Sequence, residues 1–409
     1  MGETNFMRSF DIIVAGTGPA GLPAALACAK SRLSVAVVGP VALTGSAPDT
    51  RTAALFTGSL ALLQQLGAMV YLEEAASPLR GIRIVDDGDR LIRAPEVLFE
   101  AREMDLDDFG ANVPQQALSA ALWSAIAENK GVHAIVGQVA GLELAGDRIE
   151  VRLDVGAVLS AGLVVAADGR NSVCRQAAGI ATETWDYPQV AIAAQFSHSR
   201  EHHGISTEFH RPAGPCTVVP MPGKRSSLVW VERPAIARRL VQLDDANFAR
   251  ALEERLHGIL GQVSDIGERR SFPLSGLKAK SLGKNRVVLV GEAGHTLPPI
   301  GAQGLNLGLR DAATLADLII SAKARSADIG GPELLSAYDD ARRIDVDVRT
   351  GAVDLLNRSL LVDLLPVNLA RGLGMHMIGS FSGLKRQVMR AGLEPPGNRP
   401  SLMRGSSAA

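Results

Sequence analysis

DIIVAGTGPAGLPAALACAKSRLSVAVVG, residues 11–39, decides the fold. Asp11–Ala15 is an unbroken apolar run of strand length, Leu22–Lys30 is a helical stretch rich in Ala and Leu, and Ser34–Val38 is a second apolar strand. Apolar strands without alternation are buried on both faces, as in a parallel sheet covered by helices. Between the first strand and the helix stands Gly16-Thr17-Gly18-Pro19-Ala20-Gly21. Inside a strand–helix–strand unit this G-x-G-x-x-G pattern points to a dinucleotide. Gly16 permits the tight turn, Gly18 lets the backbone approach a pyrophosphate, and Gly21 lets helix and strand pack closely. Without its flanking elements the motif would be weak. An acidic residue usually ends the second strand and holds ribose hydroxyls, but Gly39 stands there.

A second stretch, RVVLVGEAGHTLPPIGAQGLNLGLRDA at 286–312, reads as a buried strand (Val287–Val290), a carboxylate (Glu292), a Pro/Gly loop and a helix beginning near Leu305. Free backbone N–H groups and the positive helix end would stabilise an anion there. A flat, electron-rich group such as a reduced flavin suits that position; the alternative is an ordinary strand–loop–helix connection. A third apolar strand, Leu163–Ala167, ends in Asp168-Gly169-Arg170. Asp168 can accept hydrogen bonds from sugar hydroxyls, although Asp-Gly taken singly is a common turn. Arg51 follows a Ser/Thr/Pro-rich loop and precedes a helical stretch, Leu60–Leu66, so it is either a phosphate clamp or a solvated surface Arg. Gln115 opens the helix Gln115–Glu128 as a hydrogen-bonding contact or merely a cap.

A chain of 409 residues is too long for one small core, which predicts two domains. A formal net charge of −1 argues against nucleic-acid binding. Apolar residues make up 46% and aromatics 4%, so the core must be mostly aliphatic. Cys28, Cys174 and Cys216 have neither pairing nor metal-ligand spacing and read as packing residues in a reducing compartment. Phe10–Ala15 is too short for a signal peptide, no run is long enough to span a membrane, and Phe6 spoils a Met1-Gly2 myristoylation pattern. The expectation is a cytoplasmic protein, at most peripheral at a membrane. Segments from Leu79 to Leu98 and from Ala191 to Phe272 read as short β-branched strands of an antiparallel sheet. His198, His202, His203 and His210 lack partners at metal spacing and read as solvated; no metal is expected. From Pro332 the chain is helical, basic and apolar, broken into short pieces by Pro366 and glycines. It would pack over the nucleotide domain, form a homo-oligomer face or touch a membrane surface or a multi-enzyme assembly. The last residues, 394–409, read as disordered.

GTGPAG at 16–21, DTRTAAL at 49–55, ADGRNSVCR at 167–175 and HTLPPIGAQGLNLGLRDA at 295–312 together resemble the flavin-dependent aromatic hydroxylases related to para-hydroxybenzoate hydroxylase. QGLNLGLRD is most similar to the ubiquinone-biosynthesis branch. The resemblance implies an α/β (α+β overall) protein: a Rossmann-like FAD-binding domain with an inserted antiparallel-sheet substrate domain and a helical C-terminal segment. The FAD-binding parts would be 1–78, 101–182 and 276–330, the substrate domain 79–100 and 183–275, and the C-terminal helices 331–393, before the tail.

It further implies that Gly16, Gly18 and Gly21, with Pro19 and Ala20 between, face the FAD pyrophosphate, and that Arg51 reaches the phosphate or ribityl region. Gln115 would also touch the cofactor. Asp168 and Gly169 would serve the pyrophosphate region, Glu292 the ribityl chain, and Gly304, Leu305 and Asn306 the isoalloxazine ring, with Pro299 near the reacting edge. Glu292 stands where Asp is usual, and Gly301-Ala302 where Ala-Gly is usual, which puts a methyl group into a tight loop. The implied activity is hydroxylation of a small aromatic, polyprenylated phenol, with NAD(P)H and O₂ as co-substrates and the chemistry at flavin C4a; no catalytic side chain is assigned. No Ser-His-Asp, Cys-His or metal constellation offers other chemistry. A flavin-dependent prenyl reductase and a catalytically reduced accessory protein on the same fold remain the alternatives.

Overall fold

Five parallel strands lie side by side in the order Val287–Leu289, Val158–Ala166, Arg8–Ala15, Val35–Gly39, Val132–Val136. The computed structural model describes residues 8–40, 49–88, 93–361, 365–394 and 397–405. Ile12, Ile13 and Val14 of the central strand are fully buried, because helices cover both faces of the sheet. The helix Gly21–Ala29 follows the glycine turn and packs against the helix Gln303–Ala324 in the same aliphatic core. The latter begins at Gln303, two residues before the expected start, and the helix Thr57–Gln65 three residues before its own.

Thr182–His198, Ile205–Arg211, Gly214–Met221, Arg225–Glu232 and Arg270–Ala279 build a second sheet. It is antiparallel except that Ile205–Arg211 runs parallel to Gly81–Asp86. These two strands come from distant segments, so no hairpin turn dictates their direction. Their pairing unites the 79–100 segment, whose residues 89–92 lie outside the described ones, with the later strands. Arg270–Ala279 runs past the expected limit at 275, and His295–Thr296 of the glycine-rich loop joins its edge.

Four expectations need correction here. Two helices, Pro234–Gln242 and Asp245–Arg255, interrupt the span read as strands. Their signals were Pro234 at the first helical position and Asp244, which accepts from Asn247 N at 2.8 Å. Phe248 and Leu252 press onto Phe196 and Trp230 of the sheet. Secondly, His198 and His210 are buried rather than solvated. His198 pairs with Arg200 O at 2.7 Å and Ser226 Oγ at 3.0 Å, and burial outweighs those contacts to push its pKa down. Thirdly, the C-terminal region is not short pieces but Pro332–Leu361, Leu365–Ser380 and Ser382–Leu393. Pro366 is the second residue of its helix, where a missing N–H costs nothing, and Gly372, Gly374 and Gly379 are absorbed within it. Lastly, the segment read as a disordered tail forms a turn at Ser401–Met403. Ser401 N donates to Asp317 Oδ2 at 2.8 Å, and Met403, 2% exposed, joins the main core. Residues 395–396 and 406–409 of that tail lie outside the described ones, as do Met1, Gly2 and Phe6. The three cysteines are buried packing residues; burial drives the Cys28 thiol up to about 12.

Candidate cofactor site

A cleft of about 740 Å³ opens where the parallel strands end, between the glycine turn and the start of the helix Gln303–Ala324. Pockets of this size suit a large small-molecule ligand, and strand ends of open α/β sheets are where such ligands bind. Gly16, Gly18, Pro19, Ala20, Arg51, Gln115, Asp168, Gly169, Glu292, Gly304 and Leu305 all line it. Residues spread over nearly three hundred positions of sequence therefore converge on one surface.

The glycines divide by role. Gly16 has φ +112°, and a Cβ there would lie 2.1 Å from Ala167 O; a Cβ at Gly21 would lie 2.0 Å from Gly16 O. Both positions serve close packing of turn, helix and strand, and Gly21 does not line the cleft. A Cβ at Gly18 or Gly304 would meet nothing within 4 Å, so these two keep backbone bare toward the cleft. The helices Gly21–Ala29, Gln115–Glu128 and Gln303–Ala324 each lack a side-chain cap at the N-terminus. Their free N–H groups and positive dipole ends suit an anion such as a pyrophosphate.

A small sheet brings the next pair together. Thr52–Phe56 pairs with Gly110–Pro114, and Gln115 N donates to Arg51 O at 3.0 Å. Asp49 holds the Arg51 guanidinium through Nε at 2.9 Å and Nη2 at 2.7 Å. That hydrogen bond, then the charges of Asp49 and Glu292, outweigh partial burial and raise the Arg51 pKa. The guanidinium also sits 5.6 Å from the ring centre of Phe272, which links the cleft to the second sheet.

Four buried polar atoms of cleft-lining residues lack a protein partner: Asp168 Oδ1, Gln115 Oε1, His295 Nδ1 and Thr296 Oγ1. Unmatched buried polar atoms are costly, and a ligand bearing hydroxyls and ring N–H or N groups would satisfy them. Asp168 is fixed for that role because its other oxygen accepts from Cys174 N at 3.1 Å.

Three expected residues do not line the cleft: Gly21, Pro299 and Asn306. Asn306 is 1% exposed and works as a clamp. Its Oδ1 accepts from Phe56 N at 3.0 Å and Ser59 Oγ at 2.7 Å, while Nδ2 donates to Ala54 O at 2.8 Å and Ala302 O at 2.7 Å. It thereby ties the glycine-rich loop to the strand beside Arg51. Ala302 carries its methyl group at φ 54°, ψ 29°, in the left-handed region next to Gly301 at φ +63°.

His295 and Thr17 are cleft residues that sequence reasoning missed. His295 lies inside the quoted 286–312 stretch, and its partner Asp311 stands within the following helix, so both members of the pair lay in that stretch but nothing local showed that they meet. His295 Nε2 donates to Asp311 Oδ2 at 2.6 Å, and both are 1% exposed in their side chains. Arg342 Nε binds the other oxygen at 2.7 Å. Burial alone would raise the Asp311 pKa, but the charges of His295 and Arg342 outweigh it and hold the carboxyl below its ordinary value. Arg342 Nη1, Arg310 and Arg349 all converge on Asp345, at 2.9, 2.6 and 2.7 Å. Against its own burial, the charges of Arg342 and Arg310 lower the Asp345 pKa to about 2. Arg349 also binds Gln303, so the chain of charges ends at the start of the cleft helix. Thr17 occupies the space beside Gly39: a Cβ on Gly39 would sit 2.6 Å from both Thr17 Oγ1 and Cγ2.

Among the described residues no three His, Cys, Asp or Glu side chains are placed to hold a metal, and no helix is long and apolar enough to cross a membrane.

Fold and cleft define a protein that binds a dinucleotide cofactor at the ends of a parallel sheet. The sequence pattern of the family described as FAD binding domain matches residues 9–348, and the chain belongs to that family. It is 35% identical to the ubiquinone hydroxylase UbiL of Rhodospirillum rubrum over 97% of this chain and 92% of that protein. It is 28% identical to the 3-demethoxyubiquinol 3-hydroxylase of Escherichia coli, over 94% and 98% of the two chains. Among solved structures it shares its fold with the p-nitrophenol 4-monooxygenase PnpA of Pseudomonas putida, at TM-score 0.77 and 21% identity, over 96% of this chain and all of that one. Klebsiella pneumoniae HpxO, solved with FAD and uric acid, gives TM-score 0.74 and 17% identity over 94% and 97%.

Proposed function

We propose that this protein is a FAD-dependent monooxygenase that hydroxylates the ring of a polyprenylated phenol in ubiquinone biosynthesis, using NAD(P)H and O₂. The observation that carries the reading is the convergence of the glycine turn, Asp168 and the 286–312 stretch on one cleft with unmatched polar atoms. The activities named for the Rhodospirillum and Escherichia relatives support ring hydroxylation and the pathway.

FAD, when bound, supplies the electron transfer and oxygen activation that no side chain provides. The chain's own residues bind, orient and exclude water. Gly16, Gly18, Pro19 and Ala20 would hold the pyrophosphate on the helix end at Gly21, with Arg51 adding a positive charge fixed by Asp49. Asp168, Gly169, Gln115 and Glu292 would take the sugar and ribityl hydroxyls. Gly304 and Leu305 would offer backbone N–H groups at the uncapped end of the helix Gln303–Ala324, where negative charge on the ring is stabilised. Leu297 and Leu305 make that end of the cleft apolar, which keeps water from the reacting centre. Gly21 and Asn306 act one step removed, by packing and by clamping the loop. Pro299 would border the substrate.

Purified protein should be yellow with near-stoichiometric FAD, and should consume NAD(P)H and O₂ in step with hydroxylated product from a prenylated phenol. Tight FAD with NAD(P)H oxidation that never hydroxylates a phenol would refute the assignment. A saturated prenyl chain formed without O₂ uptake would identify a reductase instead, and absence of flavin would identify an accessory protein.

A further inference from the structure

The helices Leu365–Ser380 and Ser382–Leu393 form a hairpin with two unlike faces. Its inner face carries Met375, Ile378, Met389 and Leu393, which pack on Val97, Phe99 and Phe109 beside the second sheet. Lys385 Nζ pins it further by an ion pair with Glu103 at 2.6 Å. At its far end Arg349 donates to Glu394 O at 2.7 Å and to the carbonyls of Ala391 and Gly392. The hairpin is therefore anchored at several points to the body of the molecule.

Its other face is covered by no described residue. Leu373 is 62% exposed, Met377 43% and Phe381 60%, spaced four residues apart; Val388 adds to them from the second helix. A run of large apolar side chains on one exposed face marks an interaction site rather than random surface. Arg386 and Arg390 stand exposed in the same hairpin. No Asp or Glu occurs from 365 to 393, whereas the whole chain has 43 among 409 residues. Apolar residues flanked by arginines with acids excluded match an anionic bilayer surface, into which the apolar side chains insert while the arginines meet lipid phosphates.

We propose that the outward face of this hairpin docks the protein on an anionic lipid bilayer, through Leu373, Met377 and Phe381 with Arg386 and Arg390. The inference does not depend on the reaction assigned above, since a chain that binds bilayer without hydroxylating anything leaves it intact.

The full-length protein is mixed with vesicles of phosphatidylcholine alone or of phosphatidylcholine with phosphatidylglycerol, and the sedimenting fraction is measured at low and high salt. Binding should require phosphatidylglycerol and weaken as salt rises. Arg386→Glu with Arg390→Glu should lower partitioning roughly 30-fold, about fivefold per lost cation before counting the added repulsion. Leu373→Ser with Phe381→Ser should lower it roughly tenfold or more. Both variants carry changes only at exposed side chains and should keep the wild-type melting temperature and FAD content. The proposal is overturned if wild-type protein stays in solution with anionic vesicles, or if both variants sediment as wild type does. It is equally overturned if the apolar variant turns a lipid-free oligomer into a monomer, which would make a second copy of this chain the occupant.

Discussion

Restoring the missing carboxylate at the end of the second strand should succeed only if Thr17 is removed at the same time. A Cβ at position 39 would lie 2.6 Å from Thr17 Oγ1 and Cγ2 and 3.0 Å from Thr17 N. Gly39→Glu alone must therefore displace the threonine and break its 2.8 Å hydrogen bond to Pro40 O. That loss and the forced shift together cost about 1–2 kcal/mol and weaken FAD binding roughly tenfold. Thr17→Ala removes both side-chain obstacles and leaves only the 3.0 Å backbone approach. In the double variant Thr17→Ala/Gly39→Glu the carboxylate can accept from ribose hydroxyls, a charged hydrogen bond worth about 2 kcal/mol net, or roughly 30-fold in Kd. Titration of the apoprotein with FAD, followed by quenching of flavin fluorescence, reads all four members of the cycle. The strong non-additivity is the signature. If Gly39→Glu alone binds FAD as tightly as the double variant, Thr17 is not what excludes the acid. If the double variant binds no better than wild type, the ribose does not lie beside residue 39.

Asn306→Ala removes four hydrogen bonds and strands Phe56 N and Ala54 O in the interior; it should lower unfolding free energy in urea by about 3 kcal/mol and weaken FAD retention on gel filtration. Ala302→Gly should stabilise by roughly 0.5–1 kcal/mol, since relief of the left-handed alanine outweighs the extra entropy of an unfolded glycine, and the urea midpoint reads it. Asp345 has its pKa depressed from 3.8 to about 2 by Arg342 and Arg310 acting against burial. A depressed carboxyl contributes stability above its unfolded pKa and loses it as pH falls through the folded one, so about 2 kcal/mol should disappear between about pH 4 and pH 2. Asp345→Ala, which leaves three guanidinium groups without that partner, should cost about 3–5 kcal/mol at neutral pH and flatten this acid limb in a pH series of urea titrations.

What could be read from the chain alone was whatever local pattern dictates. Ile12–Val14 are apolar without alternation, so a doubly covered strand follows, and Gly16 and Gly18 acquire meaning from the elements on either side. Gln115 heads its helix, where the helical pattern of the sequence starts. The failures share a different cause, since each depends on a partner far away in sequence. Asn306 sits in a motif that suggests contact with the ring, yet the partners that turn its side chain inward, Ala54, Phe56 and Ser59, are some 250 residues earlier. His198 lies among polar residues but finds Ser226 on the neighbouring strand and becomes buried. Met403 stands in a Pro/Gly/Ser-rich tail whose composition signals disorder, and only the face of the helix Thr57–Gln65 and its neighbour Gln303–Ala324 reveal why it is held. Most of the residues expected from the motifs line the cleft, but Thr17 and His295 were not legible there, nor were the acidic and basic side chains from Asp311 to Arg349 behind it.

The order of the parallel strands also sets a timetable for biogenesis. Arg8–Ala15 emerges first from the ribosome but is flanked by Val35–Gly39 and Val158–Ala166, and Val158–Ala166 must wait in turn for Val287–Leu289. An apolar edge therefore stays unpaired while more than a hundred further residues are made. Such non-local pairing is slow and leaves sticky intermediates, so the newborn chain should lean on chaperones and its yield should fall steeply with expression temperature. Since the cleft draws on Gly16 and Gly304 alike, FAD can only be captured near the end of that schedule, and flavin supply during synthesis should govern how much protein matures.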